Sequence, residues 1–192
     1  MGNKVPTLKE LIAGCTRKEF KYEELLYKSF YGYIYGVTLR YIKDQDMVME
    51  LVNDAFLRIF KNINDFTFDG PSEALHKAFK GWISRITANL AIDRLRSRKT
   101  IVYVEEITDK DMMEIAIESP DKLSFKDIMA LLDRLPPVQQ LIFNMHEIEG
   151  FSHEEIALKL RIPASTSRVY LTRARTQLAQ RYQKIMGMYY EK

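Results

Sequence analysis

Apolar residues recur along this chain at helical spacing, and no stretch holds a sustained two-residue alternation. From Leu8 to Ile42 the periodicity predicts helix, with Leu25, Ser29, Tyr33 and Val37 at successive fourth positions. The aromatic residues Tyr22, Tyr27, Phe30, Tyr31, Tyr33, Tyr35 and Tyr41 crowd this region, a density that points to core. Asp44 and Asp46 mark a break, and Asp46 can cap a second helix running to Asn62 through Val48, Leu51, Val52, Ala55, Ile59 and Phe60. Opposite that stripe lie Glu50, Asn53 and Asp54, whose default reading is a solvated helix face. Residues 64–76, centred on Asp69-Gly70-Pro71-Ser72, carry the chemistry of a loop. The next helix sets an apolar stripe of Phe79, Ile83, Ile86 and Leu90 against a polar one of Arg85, Asn89, Asp93 and Arg96. Trp82 on it reads as a core anchor.

Residues 100–122 lose the period and read as a linker. Helical spacing resumes from Ser124 to Leu135 through Phe125, Ile128, Leu131, Leu132 and Leu135. Pro136-Pro137 ends it, and Val138 to Glu149 forms another helix around Leu141, Ile142 and Met145. After Gly150 come two helices joined by a proline-marked turn. Ser152 stands three residues before Glu155, the spacing of a capping box, and Ile156 and Leu160 share one face. A second helix begins beside Pro163 and buries Leu171, Ala174, Leu178, Tyr182 and Ile185. Turning 100° per residue puts Val169, Thr172, Arg173 and Thr176 on the far side, with Arg168 and Arg175 on the flank nearer the core. The pattern predicts an all-α protein of two small helical domains, 8–99 and 124–187, joined by a flexible acidic linker at 100–123.

Charge sharpens that division. The net charge is only +3, but residues 1–99 carry +5, residues 100–133 carry −6 and residues 134–192 carry +4. Six basic residues and no acidic one lie between Arg161 and Lys184, so the last helix pair suits a nucleic-acid backbone. Arg94, Arg96, Arg98 and Lys99 crowd the end of the preceding domain. Cations favour a helix C-terminus by under about 1 kcal/mol each, and four within six residues exceed what that effect requires.

Candidate chemistry is sparse. Cys15 is the only cysteine, so neither an internal disulfide nor a cysteine zinc cluster is available, and a reducing cytoplasm is the natural setting. No apolar run reaches the roughly 20 residues that span a bilayer, and the N-terminus lacks the apolar core of a signal peptide. There is no phosphate loop, HExxH or nucleophile elbow. His146 and His153 lack metal-ligand spacing and read as surface residues. The expectation is a non-enzyme without cofactor or metal.

Two separated blocks together resemble the extracytoplasmic-function (ECF) sigma factors of the bacterial sigma-70 family. DMVMELVNDAFLRIF, Asp46 to Phe60, is similar to the family's polymerase-binding helix, and FKGWISRITANLAIDRLRSRK, Phe79 to Lys99, to its promoter-melting helix. LDRLPPVQQLIFNMHEIEGFSHEEIALKLRIPASTSRVYLTRAR, Leu132 to Arg175, resembles the domain that reads the upstream promoter element. The resemblance implies a promoter-specificity factor that joins core RNA polymerase through Glu50, Asn53 and Asp54. It implies that Asn89, Asp93, Arg94 and Arg96, with Arg85 on the same stripe, hold the opened −10 strand, while the loop at 64–76 helps to capture a flipped base. With the last helix in the −35 groove, the face assignment above sets Arg168 and Arg175 on phosphates, with Val169, Tyr170, Thr172 and Arg173 reading base edges or local DNA shape. The linker would follow the polymerase's active-site and RNA-exit path, and an anti-sigma partner would mask the polymerase-binding surfaces.

This chain departs from the family's pattern at Arg161 and Ser165, where glycine is common, and at Ser167, where a branched apolar residue is common. A helix-turn-helix regulator that never joins polymerase is the alternative reading, and a helical scaffold whose basic ends bind acidic proteins is a second.

Overall fold

A computed structural model describes residues 6–97 and 125–190, with side chains of 125–126 and 185–190 excepted. The expected linker at 100–123, with Arg98 and Lys99, lies outside the described residues, as do the side chains of Phe125 and Ile185. The chain divides into two compact units, residues 1–95 and 96–192. Every regular element among the described residues is helical.

The first unit begins with α1 (Leu8–Thr16), whose N-terminus is closed by a reciprocal capping box between Thr7 and Glu10. The helical run expected to continue to Ile42 breaks here, and α2 occupies Phe20–Leu39. Lys18 makes the break by adopting φ 57°, in the left-handed region that side chains other than glycine rarely enter. No glycine or proline announces that turn. Close approach of α1 to α2 rests on Gly14, where an added Cβ would fall 2.1 Å from the Tyr22 ring. Cys15 is buried beside it, and burial together with the Glu23 charge pushes its thiol up to about 11, leaving it unreactive.

The buried face of α2 is Leu26, Phe30, Ile34, Val37 and Thr38. The register expected from Leu25, Ser29 and Tyr33 is therefore one residue out. Aromatics occur on several sides of this helix, so no single stripe stands out. Ser29 is exposed and donates to the Leu25 carbonyl at 2.7 Å.

Helix α3 (Gln45–Lys61) is capped by Asp44, not by Asp46: the extended backbone of Asp44 lets its carboxylate accept from the Met47 N–H at 2.9 Å, whereas Asp46 already lies in the first turn. It buries Val48, Leu51, Val52, Ala55, Phe56 and Ile59. Phe56, which the apolar pattern passed over, packs against Tyr27 with ring centroids 4.4 Å apart.

A 3-10 turn at Ile63–Asp65 follows, and α4 (Ser72–Ser97) starts four residues before the expected loop ends. Pro71 fixes the approach, its carbonyl accepting from the Ala74 N–H. Phe66 reaches back from the loop onto Phe79 and Trp82, with centroids at 5.1 and 5.4 Å. Trp82 thus anchors the loop to α4. The core side of α4 is Phe79, Ile83, Ser84, Thr87, Ala88, Ala91 and Ile92. Ile86 and Leu90 are only half-buried, because small residues occupy positions that a search for bulky apolar side chains overlooks.

The second unit comprises α5 (Phe125–Leu132), α6 (Pro137–Phe143), a π turn at Asn144–Ile148, α7 (His153–Leu160) and α8 (Ala164–Tyr190). Leu132, Leu135 and Ala174 form one buried cluster, flanked by Met129, Phe143 and Leu178. Leu141, Ile142 and Met145 are buried as well, whereas Ile128 faces outward. Helix α8 packs on α5, α6 and α7. Its buried face narrows along its length, from fully buried Ala174 to half-buried Leu178 and exposed Tyr182.

Candidate docking and nucleic-acid interfaces

Ser152 and Glu155 form both halves of the capping box at the start of α7, at 3.1 and 2.8 Å. Leu160 ends the helix, and Arg161 takes φ 56° and ψ 46° at its C-terminus. This is the left-handed cap that glycine ordinarily supplies. The turn therefore keeps its shape with an arginine in the glycine position. The Ile162 N–H closes it onto the Ala157 carbonyl at 3.1 Å, and Pro163 accepts from Ser167 as α8 begins.

On α8, Arg168, Val169, Thr172, Arg173 and Arg175 are exposed and Tyr170 is half-buried. These residues differ in their present engagements. Arg168 reaches Glu154 on α7 at 2.6 Å, and Arg175 pairs with Glu147 of the π turn. Arg173 lies over the Tyr170 ring, 6.0 Å from its centroid. The Thr172 hydroxyl donates to the Arg168 carbonyl at 3.0 Å, and Thr176 does the same to Thr172 at 3.1 Å.

These contacts polarise the acids around α8. Burial pushes the Glu147 carboxyl up, but hydrogen bonds from Arg175 and His146 outweigh it and hold it below the usual range. A backbone hydrogen bond at the helix start, followed by the Arg168 charge, holds Glu154 low as well. His146 and His153, expected as separate surface residues, are partly buried and stack with ring centroids 4.5 Å apart. The π turn and the following Gly150, at φ 70°, bring them together. No group of three potential ligands able to hold a metal occurs among the described residues.

In the first unit, Glu50, Asn53 and Asp54 share the outward face of α3, the aspartate being half-buried. Arg94 spans from α4 to this face. Its Nη2 donates to Glu50 Oε1 at 2.9 Å and to Asp54 Oδ2 at 3.3 Å, while Nη1 donates to Glu50 Oε2 at 3.2 Å. The Glu50 hydrogen bonds outweigh desolvation and make the guanidinium hold its proton more tightly than usual. The structure thus groups Arg94, which lies off the polar stripe of Arg85, Asn89, Asp93 and Arg96, with the two carboxylates. Along that stripe Asp93 is exposed, while Arg85, Asn89 and Arg96 are half-buried, the Asn89 Oδ1 lying buried without a hydrogen-bond partner.

The surface also contains residues that the sequence reading missed. Met49 and Leu57 flank Asn53 by four residues on each side and are exposed by 45% and 69%. The Tyr27 hydroxyl lies 3.4 Å from Asn53 Oδ1, and the Tyr31 hydroxyl 3.2 Å from the Met49 sulfur. The signal was present in the spacing: 49, 53 and 57 form one line on a helix whose core lies elsewhere.

Comparison with known proteins gives these surfaces a family. The model for Sigma-70 region 2 matches residues 26–101, and that for Sigma-70, region 4 matches residues 125–190. The ECF RNA polymerase sigma factor SigE of Mycolicibacterium smegmatis is 29% identical over 150 residues, covering 76% of this chain and 55% of that one. The chain thus spans about half of that relative's length. The RNA polymerase sigma-H factor of Pseudomonas aeruginosa is 23% identical over 189 residues, 92% of this chain and 94% of that one. Among solved structures, the sigma factor RpoE in complex with the anti-sigma factor NepR from Bartonella quintana aligns with a TM-score of 0.48 and 20% identity, over 86% of this chain and 98% of that one. No described helix is long and apolar enough to cross a membrane. With two regions of one family matched in order across most of its length, the chain belongs to the sigma-70 family, in its extracytoplasmic-function branch.

Proposed function

We propose that the chain is a promoter-specificity subunit: it binds core RNA polymerase, directs it to one class of promoter and helps to open the DNA, without catalysing bond chemistry itself. The observation that carries this reading is the pairing, in one chain, of region 2 and region 4 matches at 26–101 and 125–190. A regulator that bound duplex DNA alone would need the second block but not the first.

In this reading the face of Glu50, Asn53 and Asp54 docks on polymerase, with Met49 and Leu57 supplying apolar area at its edge. Arg85, Asn89, Asp93, Arg94 and Arg96 serve the opened −10 strand. Helix α8 enters the major groove at −35, where Arg168 and Arg175 hold phosphates and Val169, Tyr170, Thr172 and Arg173 face the bases. An anti-sigma factor is the expected antagonist, by analogy with the partner named in the RpoE complex. The work takes place in the bacterial cytoplasm, with polymerase and promoter DNA as partners.

The test is transcription in vitro with core polymerase on a fragmented genomic library, with start sites mapped by sequencing. Starts clustered behind a shared pair of elements support the reading. Core polymerase that neither retains the chain nor gains new starts would transfer the assignment to a stand-alone DNA-binding regulator.

A further inference from the structure

Ser167 stands on α8 where the family resemblance leads one to expect a branched apolar side chain, and it is fully buried. A buried hydroxyl needs a partner, and Ser167 has one in His153, whose Nδ1 lies 2.9 Å from its Oγ. His153, the first residue of α7, stacks in turn on His146 of the π turn, with ring centroids 4.5 Å apart and planes inclined by 25°. The His146 Nδ1 lies 3.1 Å from Glu147. A polar chain therefore runs from the π turn, across the start of α7, to the underside of α8. Its last link exists because this sequence has serine at position 167.

We propose that His146 and His153 act as a positioning unit that fixes α8 against α7, and that protonation of the stacked rings loosens the helix assigned above to the major groove. The role of α8 in DNA binding rests on the proposed function; the coupling of its placement to the two rings does not. The charged groups around the pair are Glu147 from the π turn, Glu154 from α7, and Arg168 and Arg175 from α8. Both carboxylates are already engaged by the two arginines, so little negative charge remains to compensate a second imidazolium. The N-terminal end of α7 adds a positive potential at His153. Burial first, then His146 and Arg168, hold the His153 ring below its ordinary 6.5.

A histidine whose value falls on folding contributes its full stability above the unfolded value, and loses it as pH falls through the folded one. In the tautomer protonated at Nε2, His153 Nδ1 accepts from the Ser167 hydroxyl. Once protonated it can only donate, which forces the hydroxyl to turn and sets two cations face to face.

The experiment measures amide hydrogen exchange across residues 164–178 of the full chain at pH 7.5 and 5.5, corrected for the intrinsic rate. It is paired with binding to a duplex pool selected from random 30-base-pair DNA by the wild-type protein. Wild-type protection is expected to fall by about 3- to 10-fold at the lower pH, a tenfold change corresponding to one pKa unit. Affinity for the selected pool should fall alongside it. His146→Gln relieves the face-to-face charge while leaving the His153–Ser167 bond and the burial of His153, and should reduce both responses; His146→Gln/His153→Gln should abolish them. Protection in the wild type that does not change with pH, a response undiminished in His146→Gln, or one that survives in His146→Gln/His153→Gln, overturns the proposal. If the chain enriches no sequence from the pool, the reading of α8 as a DNA helix fails, and the exchange measurement still decides the coupling.

Discussion

Arg94 and Glu50, 44 positions apart in sequence, meet through two hydrogen bonds of 2.9 and 3.2 Å. The pair joins α4 to α3, and Asp54 completes it. In the unbound chain the cation assigned to DNA is thus held by carboxylates assigned to polymerase. Exposed pairs contribute little, roughly 0 to 1 kcal/mol, with bidentate geometry at the upper end. Glu50→Arg is therefore expected to lower the melting temperature of the first unit by about 4 °C, and Glu50→Arg/Arg94→Glu to restore most of it. Restored melting without restored retention on core polymerase would separate the internal pairing from docking. Retention that recovers with the swap would show that the carboxylates matter only within the fold.

The apolar edge of the same face gives a complementary measurement. Leu57→Ser removes an exposed side chain and should change stability by no more than about 0.5 kcal/mol. Retention on immobilised core polymerase should nevertheless fall by about tenfold, as for an interface residue contributing about 1.4 kcal/mol. Unchanged retention would take Leu57 out of the docking surface.

Arg173→Ala should cost on the order of 1 to 3 kcal/mol on the selected duplex and relax preference at one position. Arg168→Ala and Arg175→Ala should weaken selected and unrelated duplexes alike. Competition titrations on both DNAs distinguish the classes, and an equal loss on both for Arg173→Ala would reassign it to the backbone.

The left-handed Arg161 predicts a gain. Arg161→Gly removes a conformational penalty of about 1 kcal/mol, partly offset by the greater freedom of glycine in the unfolded chain. A melting temperature raised by a few degrees is expected, and Arg161→Val should lower it, since branching at Cβ disfavours positive φ. Thermal melts of the three proteins check this.

Acid should weaken the attachment of α8 to the π turn. Glu147 titrates lower in the folded chain than its ordinary 4.5, so its pairing with Arg175 adds stability from about pH 4.5 upward, and this is lost as pH falls through the folded value. Arg175→Ala should shrink the slope of stability between pH 5 and 3, measured by urea unfolding at each pH.

Both family blocks and the helical division were legible in sequence because each rests on local signals: the Ser152–Glu155 box, Pro163, and the apolar spacing of α3 and α8. What escaped detection depended on contacts between distant residues. Lys18 turns the chain without glycine or proline, and Ala88, Ala91 and Ser84 are buried because α4 presents small residues to the core. Arg94 illustrates the same limit at a site. The family resemblance grouped it with Asn89 and Asp93, and only the packing of α4 on α3 shows its contact with Glu50. The meeting of His146 with His153 depends on a π turn that periodicity cannot show.

On the proposed function, the pairing of Arg168 with Glu154 and of Arg175 with Glu147 also bears on how the chain would search a genome. A phosphate approaching either arginine meets a guanidinium already neutralised by a carboxylate of its own domain. Part of the attraction that draws a basic helix to any duplex is therefore cancelled in advance. Sequence-blind affinity comes mainly from counterion release, so with both arginines on phosphates, as proposed, the cost of displacing the acids would be met on every duplex alike. On that reading the two carboxylates would act as internal competitors that lower affinity for any backbone and leave discrimination to the base-facing side of α8.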